Sequence, residues 1–186
     1  MLHKILHTDL NMAASQTLNL YDTTLGMMIN SLKNLSHVLD KGQKHLQAKD
    51  LPDSTFFEAR IIQDMNPFPF QIQTACNSAK FTAVRVGGAS LPSIDDNEKT
   101  LDDLQKRIGA TLEMLNGVPR ESFDGAESKE FEFLGRKWTG LTYCVHFAVP
   151  NFFFHVGCAY MILRANGVDI GKLDYIMGPG AAEAKK

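Results

Sequence analysis

The stretch Pro150-Asn151-Phe152-Phe153-Phe154-His155, running on to Ala159-Tyr160-Met161-Ile162-Leu163-Arg164, reads as a helix with a polar pair planted in an apolar surface. A proline fits the first turn of a helix, because the N–H it lacks would have no partner there. Asn151 and His155 are four apart and so share a face. An amide and an imidazole among phenylalanines need hydrogen-bond partners or a ligand. This segment therefore carries the candidate site, and Asn166-Gly167 ends its helix.

Upstream, three more helices are expected. The first runs from about Asp22 to about Ala48, with Leu25, Met28, Ile29, Leu32, Leu35 and Leu39 at three- and four-residue steps. The second starts near Thr55, where Thr55 and Glu58 have capping-box spacing. Its apolar stripe is Phe57, Ile61, Phe68, Ile72, Ala75 and Ala79, and Asp64 and Gln71 fall on the same stripe. Pro67 and Pro69 either kink this helix or split it in two. The third is capped by Asp95, with Glu98 three residues on, and carries Leu101, Leu104, Ile108, Leu112 and Leu115 before Asn116-Gly117 stops it. Between the third and fourth, Phe131 and Phe133 alternate with Glu130 and Glu132 and turn through Leu134-Gly135-Arg136, a short hairpin. The fold class that follows is all-α, an antiparallel four-helix bundle with a short β-hairpin before the last helix. Residues 1–20, with His3 and His7, read as a leader, residues 21–177 as the bundle domain, and 178–186 as a flexible tail.

Composition bounds the function. Hydrophobic residues are 44% and charged residues 22% of the 186, ordinary globular values. A net charge of -2 gives no reason to expect a nucleic acid or an anionic membrane as partner. Cys76, Cys144 and Cys158 form no metal or redox spacing and read as reduced core thiols of a cytoplasmic protein. His146, Pro150, Asn151 and His155 interrupt the apolar run from Cys144 to Leu163, so it is expected as a buried helix and not a membrane span. No phosphate loop, GxSxG elbow or HExxH is present.

Particular blocks of residues resemble a known family. Leu35 to Lys41 (LSHVLDK), Ala59-Arg60 with Asp64-Met65 and Pro67, Gln71 to Lys80 (QIQTACNSAK), Asp124 to Glu127, and Pro150 to Lys172 (PNFFFHVGCAYMILRANGVDIGK) are similar to the DUF1993 family, within the DinB/YfiT-like helical-bundle superfamily. The resemblance covers roughly residues 20–177. It implies a four-helix bundle of uncharacterised activity, and a homodimer is a common assembly in that superfamily. Relatives in the superfamily often bind a divalent metal through three histidines, one from the second helix and two, four residues apart, from the start of the fourth. Some are thiol-dependent transferases or hydrolases. Here Asn151 and His155 hold the two fourth-helix positions, and the second helix has no histidine. One imidazole, one carboxylate and two amides are a poor zinc or nickel set, although a weak, harder divalent cation could use them.

The site expected from these residues is a pocket for a small organic molecule. Asp64 and His155 form its carboxylate–imidazole pair, with the carboxylate fixing the tautomer of a metal-independent general acid/base. Gln71, Asn151, Arg60 and Tyr160 are the expected ligand contacts; Arg60 and Arg164 are cations able to clamp an anion or to serve as salt bridges. No cofactor is expected. Rival readings are a weak metal-dependent hydrolase or transferase at the same residues, and a non-catalytic binding or dimerisation module. Phe152, Phe153 and Phe154 are expected in the core, and His37 and His45 in solvent.

Overall fold

The computed structural model describes residues 18–180. Helix α1 spans Leu25–Lys49, α2 Phe68–Arg85 and α3 Leu101–Asn116. A hairpin of β1 (Glu130–Phe133) and β2 (Arg136–Thr139) precedes α4, a continuous helix over Gly140–Ala165, and α5 (Lys172–Met177) closes the chain. The expected all-α bundle with a hairpin before the last long helix is what forms. Leu32, Leu39, Ile72, Leu104, Ile108 and Phe152 are among its fully buried side chains.

Cross-helix pairs fix the direction of each helix. Thr24 reaches Cys144 and Gly42 packs on Leu163, so α1 and α4 run the same way. Ser36 accepts from Gln105 while Asp53, beyond the end of α1, accepts from the Leu101 N–H at the start of α3, so α1 and α3 oppose each other. Gln71 pairs with His155 and Arg85 with Tyr143, so α2 opposes α4. It follows that α2 and α3 are parallel. Parallel neighbours need a connection as long as the bundle, which is why residues 86–100 contain no helix. This crossover returns along α2: the Pro92 carbonyl accepts from Lys80, and Glu98 accepts from Gln73.

Arg107 clamps the crossover. Its guanidinium donates to Glu98 at 2.6 Å, the Asp95 carbonyl at 3.2 Å and Asn77 Oδ1 at 3.2 Å, and lies 2.6 Å from Asp96. The Arg107 and Glu98 side chains are 1% and 5% exposed, so the pair is sealed from water. Glu98 therefore belongs to this ion pair and not to a helix cap. The α3 cap is Thr100, which accepts from the Asp103 N–H in a capping box.

Two expected boundaries move, each for a local reason. The second helix does not start near Thr55: Ser54–Phe57 is a single turn, residues 58–67 are irregular, and Pro67 and Pro69 open α2, where their missing N–H groups would have no partner anyway. The fourth helix begins at Gly140, not Pro150. Thr139 caps it, and Gly140 has no room for a side chain, since a Cβ there would meet the Ala126 carbonyl oxygen. The hairpin turns through Leu134 and Gly135, both with positive φ, the twist a two-residue loop requires. Of the expected leader and tail, residues 1–17 and 181–186, with His3 and His7, lie outside the described residues; Leu20 and Gly178 are buried.

His37, expected in solvent, instead joins Lys41 in holding Asp174 of α5 against α1, at 3.1 and 3.0 Å. Asn34 donates to the Tyr175 and Ile176 carbonyls. Burial alone would raise the Asp174 pKa. The Gly171 N–H, Lys41 and His37 outweigh it and hold the carboxyl down at about 2, below its ordinary 3.8.

The clamp and the α5 anchor each make a prediction. Arg107→Met leaves Glu98 buried without its cation and should destabilise by about 3–5 kcal/mol, a fall in Tm of roughly 6–20 °C. Adding Glu98→Leu should recover much of that loss, and thermal denaturation of both variants checks it. At α5, a lowered carboxyl pKa gives stability that is complete above pH about 4 and lost as pH falls toward about 2. The Tm gap between wild type and Asp174→Asn should therefore be constant above pH about 4 and shrink below it.

Candidate functional site

Three hydrogen-bonded pairs join α2 and α4 along their length. His155 Nδ1 lies 2.8 Å from Gln71 Oε1, Asn151 Nδ2 donates to Ser78 Oγ at 2.7 Å, and Arg85 Nη1 donates to Tyr143 Oη at 2.9 Å. On α2 the three residues are seven apart, which is about two turns and keeps them on one face. On α4, Asn151 and Tyr143 are eight apart, about 2.2 turns of regular helix, which would swing Tyr143 off that face. The segment Cys144–Ala148 corrects this: it is a π-turn, bonded i to i+5, and its wider winding absorbs the extra residue. Pro150 sits just past the π-turn, where the shifted bonding tolerates a missing N–H.

Beside the π-turn lies a cavity of about 280 Å³ between α2, α4 and the hairpin. Phe81, Phe133, Tyr143 and Phe147 supply its apolar walls; Ser78, Arg85 and Asn151 are among its polar groups. The hairpin closes it, because Phe133 packs edge-on against Tyr143 and Phe147, with centroids 5.6 and 5.1 Å away. Burial raises the Tyr143 pKa against the opposing influence of Arg85, so the phenol keeps its proton at neutral pH. A larger hollow of about 620 Å³ lies along the crossover, but Arg107, Glu98, Lys106 and Asp103 there already pair with one another.

The hydrogen bonds at Gln71 fix the state of His155. Gln71 Nε2 donates to the Asn66 carbonyl at 2.8 Å, so Oε1 is the atom facing the imidazole. An amide oxygen only accepts, so Nδ1 carries the proton and the neutral ring presents the Nε2 lone pair. Burial lowers the His155 pKa from its ordinary 6.5, which keeps the ring neutral at pH 7.

Of the residues expected to form the site, Gln71, Asn151 and His155 converge. Asp64 does not: it is exposed in the irregular segment ahead of α2, and Gln71 takes the place on His155 expected for its carboxylate. The stripe that placed Asp64 inward ran through prolines that begin the helix instead of bending it. Gln71 has both ends of its amide occupied, so it positions His155. Arg60 is exposed and donates to the Gln63 and Met65 carbonyls, holding that same turn. Arg164 donates to the Val168 carbonyl. Tyr160 lines a separate shallow apolar hollow and packs on Tyr175. Phe152 is buried as expected, but Phe154 is 56% exposed. His155 itself lies one turn along α4 from the cavity wall at Asn151.

Sequence reasoning passed over Ser78, Arg85 and Phe147. The seven-residue spacing of Gln71, Ser78 and Arg85 was the available signal for the first two. The three cysteines are buried and unpaired, with the Cys76 and Cys144 thiols pushed up to about 11 by burial. By length and composition α4 could cross a membrane, with mean hydropathy 1.3 in its most apolar window, 39% of which is buried. In the fold it packs on α2 and α1 as a helix of the bundle.

The metal set of the wider superfamily is not reproduced in these residues. His155 has two amides as its polar neighbours on the shared face, and among the described residues no three His, Cys, Asp or Glu side chains come together. One imidazole with two amides does not fit a tightly held zinc or nickel ion.

The comparisons with known proteins agree with this architecture. A crystal structure of a DinB family member from Shewanella denitrificans superposes with a TM-score of 0.80 at 34% sequence identity, covering 84% of this chain and 91% of that one. None of the curated proteins matches the chain. The profile described as a domain of unknown function, DUF1993, matches residues 20–176. With nearly the whole bundle inside that match, the chain belongs to the DUF1993 family and carries the DinB-like fold.

Proposed function

We propose that this protein binds a small organic molecule in the cavity beside the α4 π-turn. The observation that carries this reading is that the π-turn and the cavity coincide: Tyr143, Phe147 and Ala148 belong to or adjoin the turn and also line the space. π-turns strain a helix and occur often at functional sites. A mixed lining of aromatic walls with a few convergent polar groups is the usual make-up of a small-molecule pocket. A fragment library screened by saturation-transfer NMR tests it. Fragments that bind the wild type should lose binding in Ala148→Leu, which fills the cavity, while Tyr160→Ala at the separate hollow leaves them unchanged. Equal binding to wild type and Ala148→Leu would place the ligands elsewhere and remove the reading.

A second reading adds chemistry, and the locked His155 tautomer favours it. A neutral imidazole with Nδ1 tied and Nε2 bare is a general base at pH 7, with no metal in its role. The expected partner Asp64 is replaced here by Gln71, which orients the ring without raising its basicity. Nitrogen NMR of labelled histidine should show the Nδ1–H tautomer for His155 and a titration midpoint below 6.5. Gln71→Glu should raise that midpoint, since a carboxylate favours the imidazolium. An Nε2–H tautomer in the wild type would remove the base from the reading.

A further inference from the structure

The charge of the cavity goes further than its shape. Arg85 lies in its wall without an acidic partner: among the described residues no carboxylate reaches ion-pair distance of it. Arg107, the buried arginine of the neighbouring helix, is by contrast tied to Glu98 and Asp96. Arg85 is instead held by rings. Its guanidinium carbon lies 4.5 Å from the centroid of Phe81, 4.1 Å from that of Phe133 and 5.8 Å from that of Tyr143. Such stacking fixes the planar fork and strips water from its faces while leaving the charge unneutralised. Among the described residues one of its five N–H donors is committed, to Tyr143 Oη.

The neighbouring hydroxyls also point to an anion. Tyr143 Oη accepts from Arg85, so its own proton remains to be donated, and Ser78 Oγ accepts from Asn151 and is in the same position. Among the described residues the lining contains no Asp or Glu. Donors around one cation, with aromatic walls, suit a single planar anionic head on an apolar body. Phosphate would be poorly served, since its second charge finds no second Lys or Arg in the lining. At about 30 Å³ per water-sized group, the 280 Å³ holds a body on the order of ten heavy atoms.

We propose that the cavity ligand is a small aromatic or short-chain monocarboxylate, its carboxylate seated on Arg85 and Tyr143. This rests on the cavity being the binding site, and the experiment separates the two. Benzoate, phenylacetate and hexanoate are titrated against wild type beside benzamide, phenylacetamide and hexanamide, by protein-observed NMR. The acids should bind about 10- to 100-fold more tightly than their amides, and Arg85→Gln should erase that preference, weakening the acids far more than the amides. Tyr143→Phe, which keeps the ring packing, should weaken acid binding by about 3- to 10-fold and serves if Arg85→Gln fails to fold. Equal binding of acids and amides, each still blocked by Ala148→Leu, would overturn the carboxylate and leave the cavity. Absence of any Ala148→Leu-sensitive binding would overturn both.

Discussion

The π-turn at Cys144–Ala148 is the constraint on which the functional face of this bundle depends. On α2 the paired residues step by seven and seven, while on α4 they step by four and then eight, and it is the eight-residue step from Asn151 to Tyr143 that regular winding would carry off the shared face. Each pair is a modest interaction, about 1 kcal/mol net. Their joint effect is on specificity. Sliding α2 by one residue would break all three pairs at once, each unmade bond costing about 1–3 kcal/mol. The register is thus fixed by what would be left unsatisfied, and the helix accepts a wide turn to satisfy it. The cavity adjoins that turn, sharing Phe147 and Ala148 with it.

The remainder of the fold supports this interface from outside. Because α2 and α3 are parallel, the chain must return the length of the bundle, and Arg107 with Glu98 pins that return to α2 through Asn77 and Gln73. The hairpin packs its aromatic face on Tyr143 and Phe147, so the same rings that hold Arg85 also close the open end of the cavity. A loosened hairpin would lose the ring over Arg85 and the wall of the cavity together. The contacts that pack the hairpin are those that would face a ligand in the proposed site, which would tie its affinity to the order of the hairpin.

Much of this was legible in the sequence. Apolar spacing marks α1, α3 and α4, and alternation marks the hairpin, because each follows from local periodicity. The pairing of Asn151 and His155 on one face needed only their separation. Asp64 was misplaced because a periodic stripe carries no knowledge of where a helix begins, and Pro67 and Pro69 are compatible with a kink, a break or a first turn. Pro150 misled in the opposite sense: it resembles a start and lies ten residues inside the helix. A π-turn leaves no mark in a segment as uniformly apolar as Cys144 to Ala148, where any winding keeps an apolar face inward. Beyond its spacing from Ser78, nothing in the sequence sets Arg85 apart: a basic residue in the last turn of a helix has a sufficient explanation in the helix dipole.

Spacing along the interface decides how binding and chemistry relate. Gln71 and Arg85 are fourteen residues apart on α2, about 21 Å at 1.5 Å per residue. Tyr143 and Asn151 are about 12 Å apart along α4, and His155 lies about 6 Å further. A body of ten heavy atoms seated on Arg85 extends to Ser78 and Asn151 and stops short of the imidazole. The anchoring cation and the neutral base therefore serve one molecule only if that molecule is elongated, with a carboxylate at one end and an acidic proton or electrophile about one helical turn beyond Asn151. A short carboxylate would occupy the cavity without meeting His155, and the protein would then act as a binder. The length of the ligand, more than the presence of either residue, separates a binding module from an enzyme on this scaffold.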